Sequence, residues 1–113
     1  MAVTTTYVLA SERRVVDSQA RGLHTALMSA YAPLALREVL SDVLERLRAV
    51  GGQCHDSPTL SRRVSSVRAT AGSYLLAADE LDDAGLPSSY STALLREARE
   101  RVSEELRGLF LVR

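Results

Sequence analysis

Apolar residues recur along this chain at the spacing of an amphipathic helix. In the clearest run they lie three or four positions apart, at Leu60, Val64, Val67, Ala71, Tyr74, Ala78 and Leu81. Because an α-helix turns once every 3.6 residues, these positions share one face. Three other segments have the same period. The pattern predicts helices at 7–30, 33–50, 58–83 and 89–109.

Proline and glycine separate the four predicted helices. Pro33 and Pro58 each fit the first turn of a helix, where the missing N–H is not needed. Gly51 follows the apolar run of the second segment, and Gly85 comes four residues after Leu81, the last apolar position of the third; glycine is preferred just beyond a helix end. Ser57 precedes Pro58, so we expect its side chain to cap the third helix.

These segments predict an all-α fold, an antiparallel bundle of about four helices in a single domain spanning 1–113. Residues 2–6 are small or β-branched, and we expect a loose lead-in over residues 1–6. Residues 110–113 form an apolar tail that folds back or meets another molecule. Gly72 lies in mid-helix, where it costs about 1 kcal/mol against alanine, so we expect a close helix contact there.

Composition narrows the function classes. The 113 residues are 46% hydrophobic and 25% charged, a globular balance, with 14 basic and 14 acidic residues and a net charge of zero. No overall attraction to nucleic acid or to an anionic membrane follows from that charge. A single cysteine, Cys54, cannot form an intrachain disulfide, and no signal-like or membrane-spanning apolar run occurs. We therefore expect a cytoplasmic protein.

No motif points to catalysis. Cys54, His55 and Asp56 offer a thiol, a base and an acid, but consecutive residues do not usually converge on one reacting atom. A phosphate-binding glycine loop, a metalloprotease histidine pair and paired zinc cysteines are not found in the sequence. The sequence therefore predicts a protein that is not an enzyme and has no cofactor or metal, with Cys54–Asp56 as a polar loop.

Charges on the third predicted helix run against the helix dipole, which favours acids at the N-terminus and bases at the C-terminus. Its first half carries Arg62, Arg63 and Arg68, and its end carries Asp79, Glu80, Asp82 and Asp83. In an antiparallel hairpin we expect Arg68 to approach Glu104, and Asp79 or Glu80 to lie near Arg96. The other interpretation is that the acidic end binds a basic partner.

Function is predicted as a protein–protein interaction module that presents a helix face, with a two-fold homodimer as the simplest partner. The candidate partner-binding residues are Asp79, Glu80, Asp82, Asp83, Phe110 and Leu111. Two alternatives stay open. One is a DNA-binding regulator that uses Arg62, Arg63 and Arg68. The other is a bundle that binds a small hydrophobic ligand near Glu12 and Gln19, polar residues on the apolar side of the first helix.

Overall fold

A computed structural model describes residues 2–52 and 57–110 of the chain, with side chains from residue 13 onward. It contains four helices, α1 (Ala2–Met28), α2 (Pro33–Gly51), α3 (Pro58–Asp83) and α4 (Ser88–Phe110). Each helix packs against the next in the chain, and α1 also packs against α4, which closes the bundle. The prediction of an all-α bundle is confirmed.

Aliphatic side chains from all four helices fill the centre of the bundle. Fully buried members include Leu23 and Leu27 of α1, Leu36, Leu40 and Leu47 of α2, Val64 of α3, and Leu95 and Leu106 of α4. On α3 the predicted face is buried at Leu60, Val64, Val67, Ala71 and Ala78 and half-buried at Tyr74 and Leu81. The helical period therefore identified the inward face of this helix.

Helix α1 begins at Ala2, whereas the sequence predicted a loose lead-in over residues 1–6. The threonines at 4–6 are poor helix formers, but each costs well under about 1 kcal/mol against alanine. No proline or glycine interrupts the chain between Ala2 and Arg21. Because no helix-breaking residue intervenes, the helix that forms over the following residues can extend back through these threonines.

The end of α3 has the geometry of a Schellman cap. Gly85 has a φ of +78°, a left-handed conformation that glycine adopts without steric cost. The N–H of Gly85 donates to the carbonyl of Asp82, and the N–H of Leu86 donates to that of Leu81. Gly85 therefore ends α3 where the sequence predicted, and it sets the direction of the turn into α4.

At two other helix ends the structure differs from the prediction. Ser57 lies at the N-cap of α3 without a side-chain capping hydrogen bond, and its carbonyl accepts from the N–H of Ser61 instead. Gly51 is the last residue of α2, and Gly52 follows in right-handed helical geometry. At Gly52 the backbone continues the helical path, so α2 ends without a left-handed glycine. At Ser57 only the backbone carbonyl contributes to the start of α3.

Gly72 faces α2, as the expectation of a close helix contact required. A β-carbon added at this position would lie 3.5 Å from Cδ2 of Leu44, which is an ordinary van der Waals distance. The helices are therefore close at this point without excluding a methyl group. Tight packing alone does not explain glycine at position 72.

Candidate interaction surface

Large apolar side chains are exposed at one end of the bundle. Because successive helices are antiparallel, the α1–α2 turn and the α3–α4 turn lie at the same end. The exposed residues in or near these turns are Met28, Tyr31, Leu34, Leu76, Leu86 and Tyr90, which we call the turn-end surface. Leu34 is 76% exposed and Tyr31 is 70% exposed. Among the described side chains, Val15 is the one other large apolar residue in this class, and it lies far from the turns.

Arg37 joins α2 to α3 beside the turn-end surface. Its Nη1 donates to Oδ1 of Asp79 at 2.5 Å, and its Nη2 donates to Oδ2 of Asp82 at 2.6 Å. The guanidinium therefore lies between two carboxylates, one α3 turn apart. It offsets part of the unfavourable acidic charge at the end of α3. This partner comes from α2, not from the Arg96 region of α4 that the sequence predicted.

The side chain of Arg68 also bonds to α2. Its Nε donates to the backbone carbonyl of Leu44 at 3.1 Å, so the expected approach to Glu104 is wrong. The polar link between α3 and α4 is instead made by Thr70, whose hydroxyl donates to Oε1 of Glu105 at 3.0 Å. Helical periodicity shows which face points inward, but Arg68 lies on the flank of α3 that faces α2. The sequence alone did not identify which neighbour each flank meets.

Two acidic residues at the end of α3 stay available to another molecule. Glu80 and Asp83 are exposed, and neither forms an ion pair within the described part of the chain. Leu76 lies four residues before Glu80 and seven before Asp83, so the three side chains share the outer face of α3. This face of α3 combines one exposed apolar side chain with two unpaired carboxylates.

The half of the bundle nearest these turns is acidic. Residues 15–41 and 70–100 contain eight acidic and four basic side chains, a net charge of −4. The whole chain is neutral, so the other parts of the sequence carry the compensating positive charge. A zero net charge therefore hides a separation of charge along the bundle.

Arg99 of α4 holds the end of α1. Its Nε donates to the carbonyl of Leu27 at 3.2 Å, and its Nη2 donates to the carbonyl of Met28 at 2.8 Å. The same guanidinium lies 4.8 Å from the centre of the Tyr31 ring. These carbonyls belong to the last turn of α1, and that of Leu27 also accepts from the N–H of Ala30. Arg99 therefore caps α1 and positions Tyr31 within the turn-end surface.

Phe110, predicted to lie at a partner surface, is covered by its own chain. It is 9% exposed, and its ring meets the ring of His24 edge to face at 5.4 Å between centroids. The guanidinium carbon of Arg21 lies 4.8 Å from the Phe110 centroid. Burial lowers the pKa of His24 below its usual range, and the charge of Arg107 lowers it further. Leu111 lies outside the described residues.

The other sequence-predicted residues are scattered over the bundle. Arg62 and Arg63 are exposed near the start of α3 and form no ion pair within the described ranges. Gln19 is half-buried and lines an open groove of about 280 Å³ between α1 and α2, together with Val15 and Val50. The side chain of Glu12 lies outside the described residues, as does the segment 53–56 with Cys54 and His55.

A cleft of about 220 Å³ lies between α3 and α4, away from the turn-end surface. Val67 and Leu109 form its apolar floor, and Arg63 and Glu105 line its sides. Oε2 of Glu105 is buried and has no hydrogen-bond partner from the described residues. A buried carboxylate oxygen of this kind costs about 1–3 kcal/mol if it stays unpaired.

No group of His, Cys, Asp and Glu side chains within residues 13–52 and 57–110 is arranged to hold a metal ion. No helix in the described part of the chain has the length and apolar character needed to cross a bilayer. No family model, curated protein or solved structure matches the chain. A function therefore has to follow from the chain's own residues.

Proposed function

We propose that this chain is a non-enzymatic protein–protein interaction module that docks through the turn-end surface. The observation that carries the proposal is the gathering of exposed Met, Leu and Tyr side chains at one end of the bundle. Isolated exposed apolar residues are normal on a protein surface, whereas six large ones near two turns at the same end of the bundle favour a binding site. Aromatic residues and methionine are also enriched at protein interfaces.

Docking would remove apolar surface that the fold leaves in water. Burial of apolar surface contributes about 25 cal/mol per Å², or roughly 1.5–3 kcal/mol for a fully buried leucine. Leu34, Leu76 and Tyr31 each retain more than half of their accessible surface and can act as anchors. A few such anchors usually carry most of the binding free energy at an interface.

The DNA-binding alternative has less support. Arg62 and Arg63 are exposed, but the Nε of Arg68 is already bonded to Leu44 of α2. Two arginines give fewer phosphate contacts than the three that the sequence suggested, and so a weaker dependence of binding on salt. Salt-dependent binding to arbitrary duplex DNA that disappears in an R62Q/R63Q variant would favour this alternative over the interaction module.

The test uses the full chain, immobilised and exposed to a lysate of its host, with quantitative mass spectrometry of retained proteins. In the variant L34Q/L76Q both anchors become polar while helix-forming residues are kept. The matched control is V15Q, which changes the exposed apolar residue that is distant from the turns. A retained protein is then purified and its dissociation constant measured against the wild type and both variants.

We expect the wild type and V15Q to bind the same partner, and L34Q/L76Q to bind it at least about tenfold more weakly, since each buried leucine contributes more than 1 kcal/mol. Equal binding by L34Q/L76Q would contradict the proposal, as would the absence of any retained protein. Light scattering of the purified chain examines the homodimer. A dimer that L34Q/L76Q dissociates would make the partner a second copy.

A further inference from the structure

We infer that the partner presents a positively charged segment, rich in Lys or Arg and carrying apolar anchors, to the outer face of α3. This inference rests on the proposed function and names the chemistry of the partner. It is drawn from Leu76, Glu80 and Asp83, an exposed apolar side chain followed at helical spacing by two unpaired carboxylates.

The carboxylates that Arg37 binds add to this charge. Arg37 contacts Oδ1 of Asp79 and Oδ2 of Asp82, and the second oxygen of each group forms no ion pair within the described residues. The Asp79 side chain is 62% exposed and the Asp82 side chain is 42% exposed. Arg37 therefore pairs with two of the four acidic side chains at 79–83, and the surplus negative charge is open to a cationic partner.

The position of these acids in the helix strengthens the argument. Acidic side chains near the C-terminus of a helix lie close to the negative end of its dipole, an unfavourable placement in the isolated chain. A Lys- or Arg-rich segment bound across Glu80 and Asp83 would remove that repulsion. The charges that weaken α3 in the free protein thus favour binding of a basic segment.

The same charges disfavour a second copy in a two-fold arrangement. A symmetric contact through the turn-end surface would bring together two halves that each carry a net charge of −4. Like charges held together at an interface oppose association. A basic partner therefore fits the surface better than a second copy in this two-fold arrangement.

The probe is a displayed library of random 16-residue peptides, selected on the immobilised full chain in a low-salt buffer. The test variant is E80R/D83R, which reverses the two unpaired acids without changing a residue bonded to Arg37. The matched control is D42R/E45R, which reverses two exposed acids on α2. Both variants have 16 basic and 12 acidic residues, a net charge of +4, so a bulk charge effect would appear equally in both.

We expect the selected peptides to carry a positive net charge together with apolar residues. Their affinity should fall about tenfold or more in E80R/D83R, stay near the wild-type value in D42R/E45R, and weaken as salt is raised. Neutral or acidic selected peptides, equal loss in both variants, or no selected peptide at all would overturn the inference. Melting curves of both variants verify that they fold.

The two proposals can fail separately. If L34Q/L76Q loses the captured partner while E80R/D83R keeps it, the interaction surface stands and the inferred basic partner is wrong. If L34Q/L76Q binds every partner as the wild type does, the proposed function itself is wrong.

Discussion

Replacement of Arg99 by methionine should destabilise the bundle, because this side chain caps α1 from α4. Methionine keeps an unbranched apolar side chain of similar length and removes the guanidinium. The variant therefore loses the hydrogen bonds to the carbonyls of Leu27 and Met28 and the contact with the Tyr31 ring. A cation at the last turn of α1 is lost at the same time.

The magnitude follows from these contacts. A hydrogen bond from a charged donor contributes about 1.5–3 kcal/mol in a buried setting. The bond to Leu27 is part-buried and the bond to Met28 is exposed, which lowers both contributions. An exposed cation–π contact adds about 0.5–1 kcal/mol. We expect a total loss of about 2 kcal/mol in the free energy of unfolding of R99M.

Urea unfolding followed by circular dichroism measures this loss. With a slope of about 1–3 kcal/mol per molar urea, the midpoint should fall by roughly 0.7–2 M while the slope stays unchanged. R101M, an exposed arginine on the same helix, should shift the midpoint much less. If R99M costs less than about 0.5 kcal/mol, typical of an exposed pair, the capping role assigned to Arg99 is wrong.

Two further predictions concern other parts of the bundle. G72A should raise the free energy of unfolding by up to about 1 kcal/mol in a urea titration, because alanine is the better helix former and its β-carbon meets Leu44 at an ordinary distance; a loss of stability would show that Leu44 cannot adjust. His24 has a pKa below its usual value, from burial and then from Arg107, so the unfolded chain binds the proton more readily. The contribution of His24 to the free energy of unfolding should be fully present above the unfolded pKa of about 6.5 and fall as the pH drops through it toward the folded pKa. The fall should be smaller in H24Q than in a matched H55Q control. Equal pH dependence in H24Q and the wild type would contradict this prediction.

The helices were predictable from the sequence because the signals that define them are local. The apolar period defines a helix within one or two turns, and so do the end signals at Pro33, Pro58 and Gly85. The observed helices begin and end at or near these residues. Ser57 was misjudged because serine is a preferred N-cap residue, whereas at φ −132° and ψ 85° its side chain forms no capping bond. The start of α1 was misjudged because weak helix formers still extend an uninterrupted helix.

The surface was less predictable because it depends on which helices are neighbours. The acidic residues at 79–83 were recognised as unusual from the sequence, but their partner Arg37 lies 42 positions away from Asp79. The helical period places Leu34 opposite the buried face of α2, and Tyr31 lies in the turn before Pro33, but neither position shows which residues of α3 and α4 lie nearby. Their grouping with Leu86 and Tyr90 appears only when two turns are brought to the same end of the bundle.

The proposed function can be tested by mutation because the residues assigned to binding lie outside the buried core. Leu34, Leu76, Glu80 and Asp83 are exposed, so they contribute little to the buried centre that stabilises the four helices. Replacement of the acids should even favour α3, because it removes negative charge from the negative end of the helix dipole. A variant that unfolds would therefore contradict the assignment of these residues to the surface. A folded variant that no longer binds would locate the binding free energy at the turn end.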